Sequence, residues 1–268
     1  MSTIEIVEAG IASTIQDQGR VGYAHLGVSP SGAVDRRVAS LVNRLVGNPE
    51  QAAVIETCGG LVVRFSGAAL ISVSSELAPV SVAAGQTYRV AGNPSCLWQY
   101  LAVRGGFDVD PVLGSRSTDT LSGLGPPPLA AGDVIPVGAE PESQLAVDHA
   151  PGRRLPELVR IGPGPRLDWF DAVSFERFVG GPWTVTDSSR VGVRLSGVRL
   201  MRRITHDLAS EGLVRGAIQV PPDSDPVMLL ADHPTTGGYP VIAVVDPDDV
   251  AAVAQTPPGG SVRFTARH

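Results

Sequence analysis

The chain has 268 residues, 43% of them hydrophobic and 18% charged, with a formal net charge of −6. That length buries roughly three quarters of the surface an unfolded chain exposes, enough for one large or two modest domains. No apolar run approaches the roughly 18 residues that cross a bilayer, so no membrane span is expected, and a negative balance without a basic cluster argues against nucleic acid as a partner.

The N-terminus, MSTIEIVEAG, lacks a basic segment followed by a long apolar core, so no secretory signal is read and cytoplasmic residence is expected. All 21 basic residues are arginines. Without lysine there is no Schiff-base amine, no phosphate-binding P-loop lysine and no side chain to carry covalent biotin. Any phosphate or carboxylate must be held by arginine forks, backbone N–H groups or hydroxyls. Cys58 and Cys96 form no CxxC pair, and the five histidines (His25, His149, His206, His233, His268) are scattered, so no protein-built metal site is expected. Cys58, in IETCGG, reads as a core residue rather than a nucleophile.

In chain order, a β-branched run at 4–7 opens the sequence. A helix follows, with Val34, Val38, Leu41, Val42 and Leu45 at helical spacing, Ser31 or Ser29 as its cap, and Gly47 and Pro49 as its stop. Short apolar runs then recur at 62–65, 70–73, 88–90, 97–103 and 134–137, and further on at 216–220, 227–231, 241–245 and 262–265. A short helix is expected across 165–170 and another after Pro247, where Asp248 and Asp249 suit the N-terminal dipole. Many short strands punctuated by 31 glycines and 23 prolines, with few helices, predict a mainly β fold of barrels or sandwiches.

Asp17-Gln18-Gly19-Arg20-Val21-Gly22 recurs as Asp187-Ser188-Ser189-Arg190-Val191-Gly192. Each copy is later followed by a glutamate and apolar strands, Glu56 before LVVRF and Glu211 before AIQVPP. The echo reads as two related halves. A stretch of charge, proline and small residues between 138 and 158 separates them, giving units 1–142 and 155–268.

Four polar groups could carry chemistry. In Gln16-Asp17-Gln18-Gly19-Arg20, Arg20 either clamps a carboxylate or phosphate with Asp17 orienting it, or bridges Asp17 to staple a turn. Ser29-Pro30-Ser31-Gly32 with Asp35 enters a helix N-terminus and either binds an anion or caps the helix. Gly114-Ser115-Arg116-Ser117-Thr118-Asp119 sets three hydroxyls around an arginine, as a phosphate cradle or a solvated loop. In 210–240, Gln219, Asp232, Thr235, Thr236 and Tyr239 follow buried strands and stiff turns, which suits a small-molecule substrate. No Ser–His–Asp order or nucleophile elbow is present.

At these residues the chain resembles a known family. TIQDQGRVGYAHLGVSPSGAVD (14–35), LVNRLVGNPEQAAVIE (41–56), VLGSRSTDT (112–120) and SEGLVRGAIQVPPDSDPVMLLADHPTTGGYP (210–240) resemble the allophanate hydrolase subunit 2 family. The member type it looks like is the 5-oxoprolinase C subunit, also described as KipA or biotin-dependent carboxyltransferase-like. The family's PxSG reads Ser29-Pro30-Ser31-Gly32, its GVVPG reads Gly212-Leu213-Val214-Arg215-Gly216, and its DGQP reads Asp223-Ser224-Asp225-Pro226. The resemblance implies two cyclophilin-like β-barrel units. It implies a chain that works with a KipI-like partner and a LamB/YcsF-like partner to open 5-oxo-L-proline to L-glutamate with hydrolysis of ATP. On that reading Arg20, Gln219, Asp232, Thr235, Thr236 and Tyr239 line the site, with Asp232 and Gln219 as the catalytic candidates. Two other readings stay open: the carboxyltransferase half of a urea carboxylase, taking a carboxyl group from biotin on another polypeptide, and a non-enzymatic regulator that sequesters a KipI-like kinase inhibitor.

Overall fold

The computed structural model describes residues 2–142, 145, 149–152, 154–222 and 225–267; Asp223 and Ser224 of the 223–226 turn lie outside them. Contacts divide the chain into two compact units, Met1–Val21 with Ser31–Arg153, and Gly22–Pro30 with Arg154–His268. Residues 22–30, assigned to the first unit from sequence, therefore belong to the second. Ser29 shows why, since its hydroxyl donates to the carbonyl of Ala231 at 2.9 Å.

The first unit holds β1 (Thr3–Glu8), β2 (Thr14–Gln16), helix α1 (Arg36–Leu45), β3 (Val54–Thr57), β4 (Leu61–Phe65), β5 (Ala69–Val73), β6 (Pro79–Val82), β7 (Thr87–Val90), β8 (Gln99–Val103) and β9 (Val134–Pro136). They form a four-stranded sheet, β7-β4-β1-β9, and a five-stranded sheet, β2-β3-β8-β5-β6. Period-two alternation builds the core. In β1, Ile4 and Ile6 turn inward opposite Phe65 and Val63 of β4, while Glu5 turns outward and pairs with Arg64 at 2.9 Å. The inward side chains of both sheets, among them Ile55, Ile71, Leu101 and Val103, merge into one apolar cluster.

α1 packs on β5 and β8 and buries Ala39, Val42, Asn43 and Leu45. Its cap is Asp35, whose carboxylate accepts from the Val38 N–H at 3.2 Å. Neither Ser29 nor Ser31 caps it: Ser29 is engaged with Ala231, and Ser31 takes a left-handed φ of 49°. The helix stops as expected at Gly47, at φ 73°, whose N–H reaches the Arg44 carbonyl at 3.0 Å.

The second unit holds β10 (Val159–Pro163), α2 (Ser174–Gly180), β11 (Pro182–Ser188), β12 (Gly192–Ser196), β13 (Glu211–Gly212), β14 (Ala217–Gln219), β15 (Val227–Leu229), β16 (Thr236–Gly237), β17 (Val241–Val245), α3 (Val250–Ala254) and β18 (Ser261–Ala266). Seven strands close into a barrel, β10-β17-β14-β15-β12-β11-β18, sealed by the parallel pairing of β10 with β18. α2 is absent from the sequence reading. Its Phe178 stacks between Trp183 and Phe264, each ring centroid 4.8 Å away, and the Trp183 indole N–H donates to the Phe178 carbonyl at 2.8 Å. The helix expected across 165–170 is a single 3₁₀ turn, Leu167–Trp169. Before α3, Asp249 makes no side-chain capping bond; its carboxylate instead receives Arg160 at 2.8 and 2.9 Å, tying α3 to β10. Among the described residues, no helix is long and apolar enough to cross a membrane.

Candidate functional site

In the first unit three loops are knotted around Asp17. Its Oδ1 accepts from the Gly19 N–H at 2.7 Å and from the Ser115 and Ser117 hydroxyls at 2.6 Å each, and its Oδ2 accepts from the Arg116 N–H at 2.6 Å. The Asp17 carbonyl accepts the Ala33 N–H at 2.8 Å, which draws in the 31–35 segment. Gly32 makes that approach possible. At φ 85°, a Cβ there would lie 2.8 Å from the Gln18 carbonyl carbon and the Gly19 nitrogen. The structure thus brings together Gln16, Asp17, Arg20, Ser31, Asp35, Arg116, Ser117 and Thr118.

Arg20 is 2% exposed and does not pair with Asp17. Its guanidinium donates to the carbonyls of Val112, at 3.3 Å, and Ser117. The Asp17–Arg20 bridge read from sequence is therefore replaced by an arginine that binds backbone. Likewise the phosphate cradle of 114–119 is filled from within, because two of its hydroxyls already donate to a carboxylate that would repel a phosphate. Arg116 donates through Nε to the Val109 carbonyl at 2.7 Å and lines a 430 Å³ cavity with Asn48, Gly105 and Asp108.

The same knot concentrates buried polar atoms without a hydrogen-bond partner among the described residues: Gln16 Oε1, Arg20 Nη1, Ser31 Oγ, Arg36 Nε and Thr118 Oγ1. Gln16, Ser31 and Thr118 are at most 2% exposed. An unsatisfied buried donor or acceptor costs about 1–3 kcal/mol, so five in one region make this knot the costliest polar cluster described in the first unit. Burial also pushes the Arg36 guanidinium below its ordinary pKa, an effect that nearby Asp17 offsets.

A second layer, not found from sequence, holds the 31–35 segment. Glu56 is fully buried and accepts from the Val34 N–H at 2.7 Å and the Tyr100 hydroxyl at 2.8 Å; that hydroxyl in turn accepts from the Asp35 N–H at 2.7 Å. Burial, then the charges of Glu56 and Asp35, raise the Tyr100 phenol well above its usual pKa. The available signal was a glutamate in an otherwise apolar strand, VIET.

In the second unit the ladder between β12 and β15 continues past both strands. Leu230 donates to Val191 and Asp232 to Arg190, each at 2.9 Å. This sets Asp232 opposite Arg190, whose Nε and Nη2 grip its two oxygens at 2.9 Å each. The side chains are 0% and 2% exposed. Asp232, named from sequence as a catalytic candidate, is thus held in a buried ion pair with Arg190. In the echoed motif Arg190 meets Asp232 and not Asp187, which is exposed on β11.

Gln219 donates through Nε2 to the Tyr239 carbonyl at 3.1 Å. Thr235 accepts the Leu213 N–H through its carbonyl at 2.9 Å, and Thr236, exposed in β16, pairs opposite Gly212 of β13. These residues shape the loop that presents Tyr239, 47% exposed, to a 300 Å³ cavity. Gln219, Asp232, Thr235, Thr236 and Tyr239 all lie in the second unit, whereas the Asp17 knot lies in the first. Among the described residues, no cluster of histidine, cysteine or carboxylate side chains could hold a metal ion.

Residues 26–266 match the family described as carboxyltransferase domain, subdomain A and B. The chain is 35% identical to the 5-oxoprolinase C subunit of Escherichia coli (strain K12), across 97% of this chain and 90% of that protein. It superposes on the crystal structure of TTHA0988 with a TM-score of 0.88 and 33% identity, covering 99% of this chain and 56% of that one. On the Kluyveromyces lactis urea carboxylase the TM-score is 0.89 at 27% identity, covering 99% of this chain and 27% of that one. The chain thus spans about half of the first solved relative and about a quarter of the second. With its family match running almost end to end over a mainly β body, the chain belongs to the carboxyltransferase domain family, subdomain A and B.

Proposed function

We propose that this chain is the C subunit of a cytoplasmic, ATP-dependent 5-oxoprolinase, opening 5-oxo-L-proline to L-glutamate together with a KipI-like partner and a LamB/YcsF-like partner. The observation that carries the reading is the colinear match to the Escherichia coli protein, 97% of this chain against 90% of that one.

The Asp17 knot supplies chemistry that suits such a substrate. A five-membered lactam with a carboxylate needs donors for its carboxylate and carbonyl oxygens and an acceptor for its ring N–H. Arg20 Nη1 and the hydroxyls of Ser31 and Thr118 are donors in want of an acceptor, and Gln16 Oε1 is an acceptor in want of a donor. The ring is unstrained and its amide is a poor electrophile, which is why ATP is needed: phosphorylating the carbonyl oxygen creates a leaving group. The 114–119 loop does not suit the triphosphate, because Ser115 and Ser117 already serve Asp17.

The test is reconstitution. The purified chain alone should release no glutamate from 5-oxoproline and ATP, and the three-component complex should. An Arg20→Gln complex should show KM raised about tenfold or more, the scale of one charge-assisted hydrogen bond. Turnover by the chain alone, or none by the complex, would count against the reading.

The TM-score of 0.89 to a urea carboxylase favours one alternative, a carboxyltransferase that receives its carboxyl group from biotin carried on another polypeptide. This chain, lacking lysine, carries no covalent biotin. Carboxylated product formed with a biotin carboxylase and biotin carrier, in place of glutamate, would select it.

A further inference from the structure

The second unit contains a cavity that neither the Asp17 knot nor the Arg190–Asp232 pair uses. It encloses 300 Å³ and is walled by Arg199, Leu200, Met201, Arg202, His206 and Tyr239, with Asp207 the one acidic lining residue among those described. Small-molecule pockets start at roughly this size. Two features of the wall point to an anion. Arg199 is exposed and meets no carboxylate among the described residues. Arg202 lies over the Trp169 ring, 5.8 Å from its centroid, yet its Nε is buried without an acceptor among the described residues.

A guanidinium stacked on an aromatic face can still offer the terminal N–H groups of its fork to a planar or tetrahedral oxyanion. In a chain without lysine, such forks are the principal means of receiving phosphate. The rest of the wall mixes apolar side chains, Leu200, Met201 and Leu208, with the polar Thr205, His206 and Asp207. Tyr239 and Met201 are 47% and 46% exposed at the cavity, and the His206 ring meets Trp169 edge-on at 5.0 Å. Aromatic faces beside an arginine fork suit a ring joined to a phosphate.

We propose that this cavity binds a nucleoside polyphosphate, with its phosphates on Arg199 and Arg202 and its base against Tyr239. The assignment rests on the oxoprolinase reading for its physiological ligand, ATP, but its binding test is independent of turnover. Calorimetric titration of the full chain with ADP, inorganic pyrophosphate and adenosine should give saturable binding of ADP and weaker binding of the other two. Arg202→Gln and Tyr239→Ala should each weaken ADP about tenfold or more. Arg199→Gln, at an exposed position, should do the same with the melting temperature unchanged.

No binding of ADP, or ADP affinity unchanged in both arginine variants, overturns the proposal. Pyrophosphate binding as tightly as ADP removes the base contact and overturns the nucleotide assignment. ADP bound by a chain whose reconstituted complex makes no glutamate sustains the cavity and sinks the oxoprolinase reading; glutamate made by a complex in which this chain binds no ADP does the reverse.

Discussion

Arg190 and Asp232 form a two-point ion pair within the second unit, Nε to Oδ2 and Nη2 to Oδ1 at 2.9 Å each, with neither side chain more than 2% exposed. The backbone ladder between the same two residues, N–H of Asp232 to the carbonyl of Arg190 at 2.9 Å, sets them opposite each other. The pair therefore reports on the barrel's integrity more directly than on turnover.

Asp232→Asn leaves a buried guanidinium without its counter-charge, which costs about 3–5 kcal/mol. Urea denaturation should show the midpoint falling steeply with little change in slope. The double variant Arg190→Met/Asp232→Leu, which removes both charges, should recover most of the loss. A single variant as stable as the parent would show that the pair contributes nothing to the fold.

Asp17→Asn keeps one carbonyl oxygen and puts an NH2 group in place of the other, facing either the Arg116 N–H at the Oδ2 place or the Gly19 N–H and two hydroxyls at the Oδ1 place. Four donors converge on the native carboxylate, and setting even one of them against an N–H while removing the charge that binds the rest costs about 2–3 kcal/mol. Ser117→Ala removes a hydroxyl that donates to Asp17 Oδ1 at 2.6 Å and accepts the Asp17 N–H at 3.0 Å, and should cost about 1–2 kcal/mol. Thermal melts should rank the two in that order; a Ser117→Ala loss equal to that of Asp17→Asn would mean the hydroxyl, not the carboxylate, ties the loops.

Cys58 should be inert in the native protein. Burial, then the charge of Glu56, pushes its thiol from an ordinary 9.0 up to about 12. Only the thiolate is nucleophilic, so iodoacetamide at pH 8 should modify unfolded protein far faster than folded. Because the folded thiol keeps its proton to higher pH than the unfolded one, its contribution to stability is intact below about pH 9 and falls as pH climbs toward 12. Equal labelling of both states at pH 8 would contradict the burial.

Glu211 and Arg166 give the opposite sign. The Arg166 guanidinium, hydrogen-bonded to Glu211, holds that carboxyl below its usual range. The associated stability is present above the ordinary carboxylate pKa of about 4.3 and disappears as pH falls through the lower folded value. Glu211→Gln should flatten the acid limb of a stability–pH profile below the ordinary carboxylate range, by the small amount expected of a partly exposed pair. An acid limb identical to the parent's would show the pair to be idle.

α1 was legible as a repeat near 3.6 and about half of the strands as short β-branched or apolar runs, whereas β2, β3, β6, β10, β11 and β12 were not read. α2 was not, since Ser174–Gly180 is a seven-residue segment held by Phe178 packing on Trp183 and Phe264, a tertiary contact with no local signature. Asp17, Arg20, Ser31, Ser117 and Thr118 were legible as a polar set. Their roles were not, because which hydroxyl serves which carboxylate depends on loops about 100 residues apart meeting in register. The roles of Glu56 and Arg190 stay hidden for the same reason: a charge in or beside a strand shows its purpose only once its partner is in view.

The excursion of residues 22–30 has a consequence for biogenesis. During synthesis this segment leaves the ribosome with the first unit's opening strands, while the carbonyl of Ala231 that receives the Ser29 hydroxyl is still untranslated. Nascent chains must hold it unmoored until nearly the whole polypeptide has emerged, so truncations anywhere before Ala231 strand it, and prolonged dwell in that condition is where aggregation during expression should concentrate.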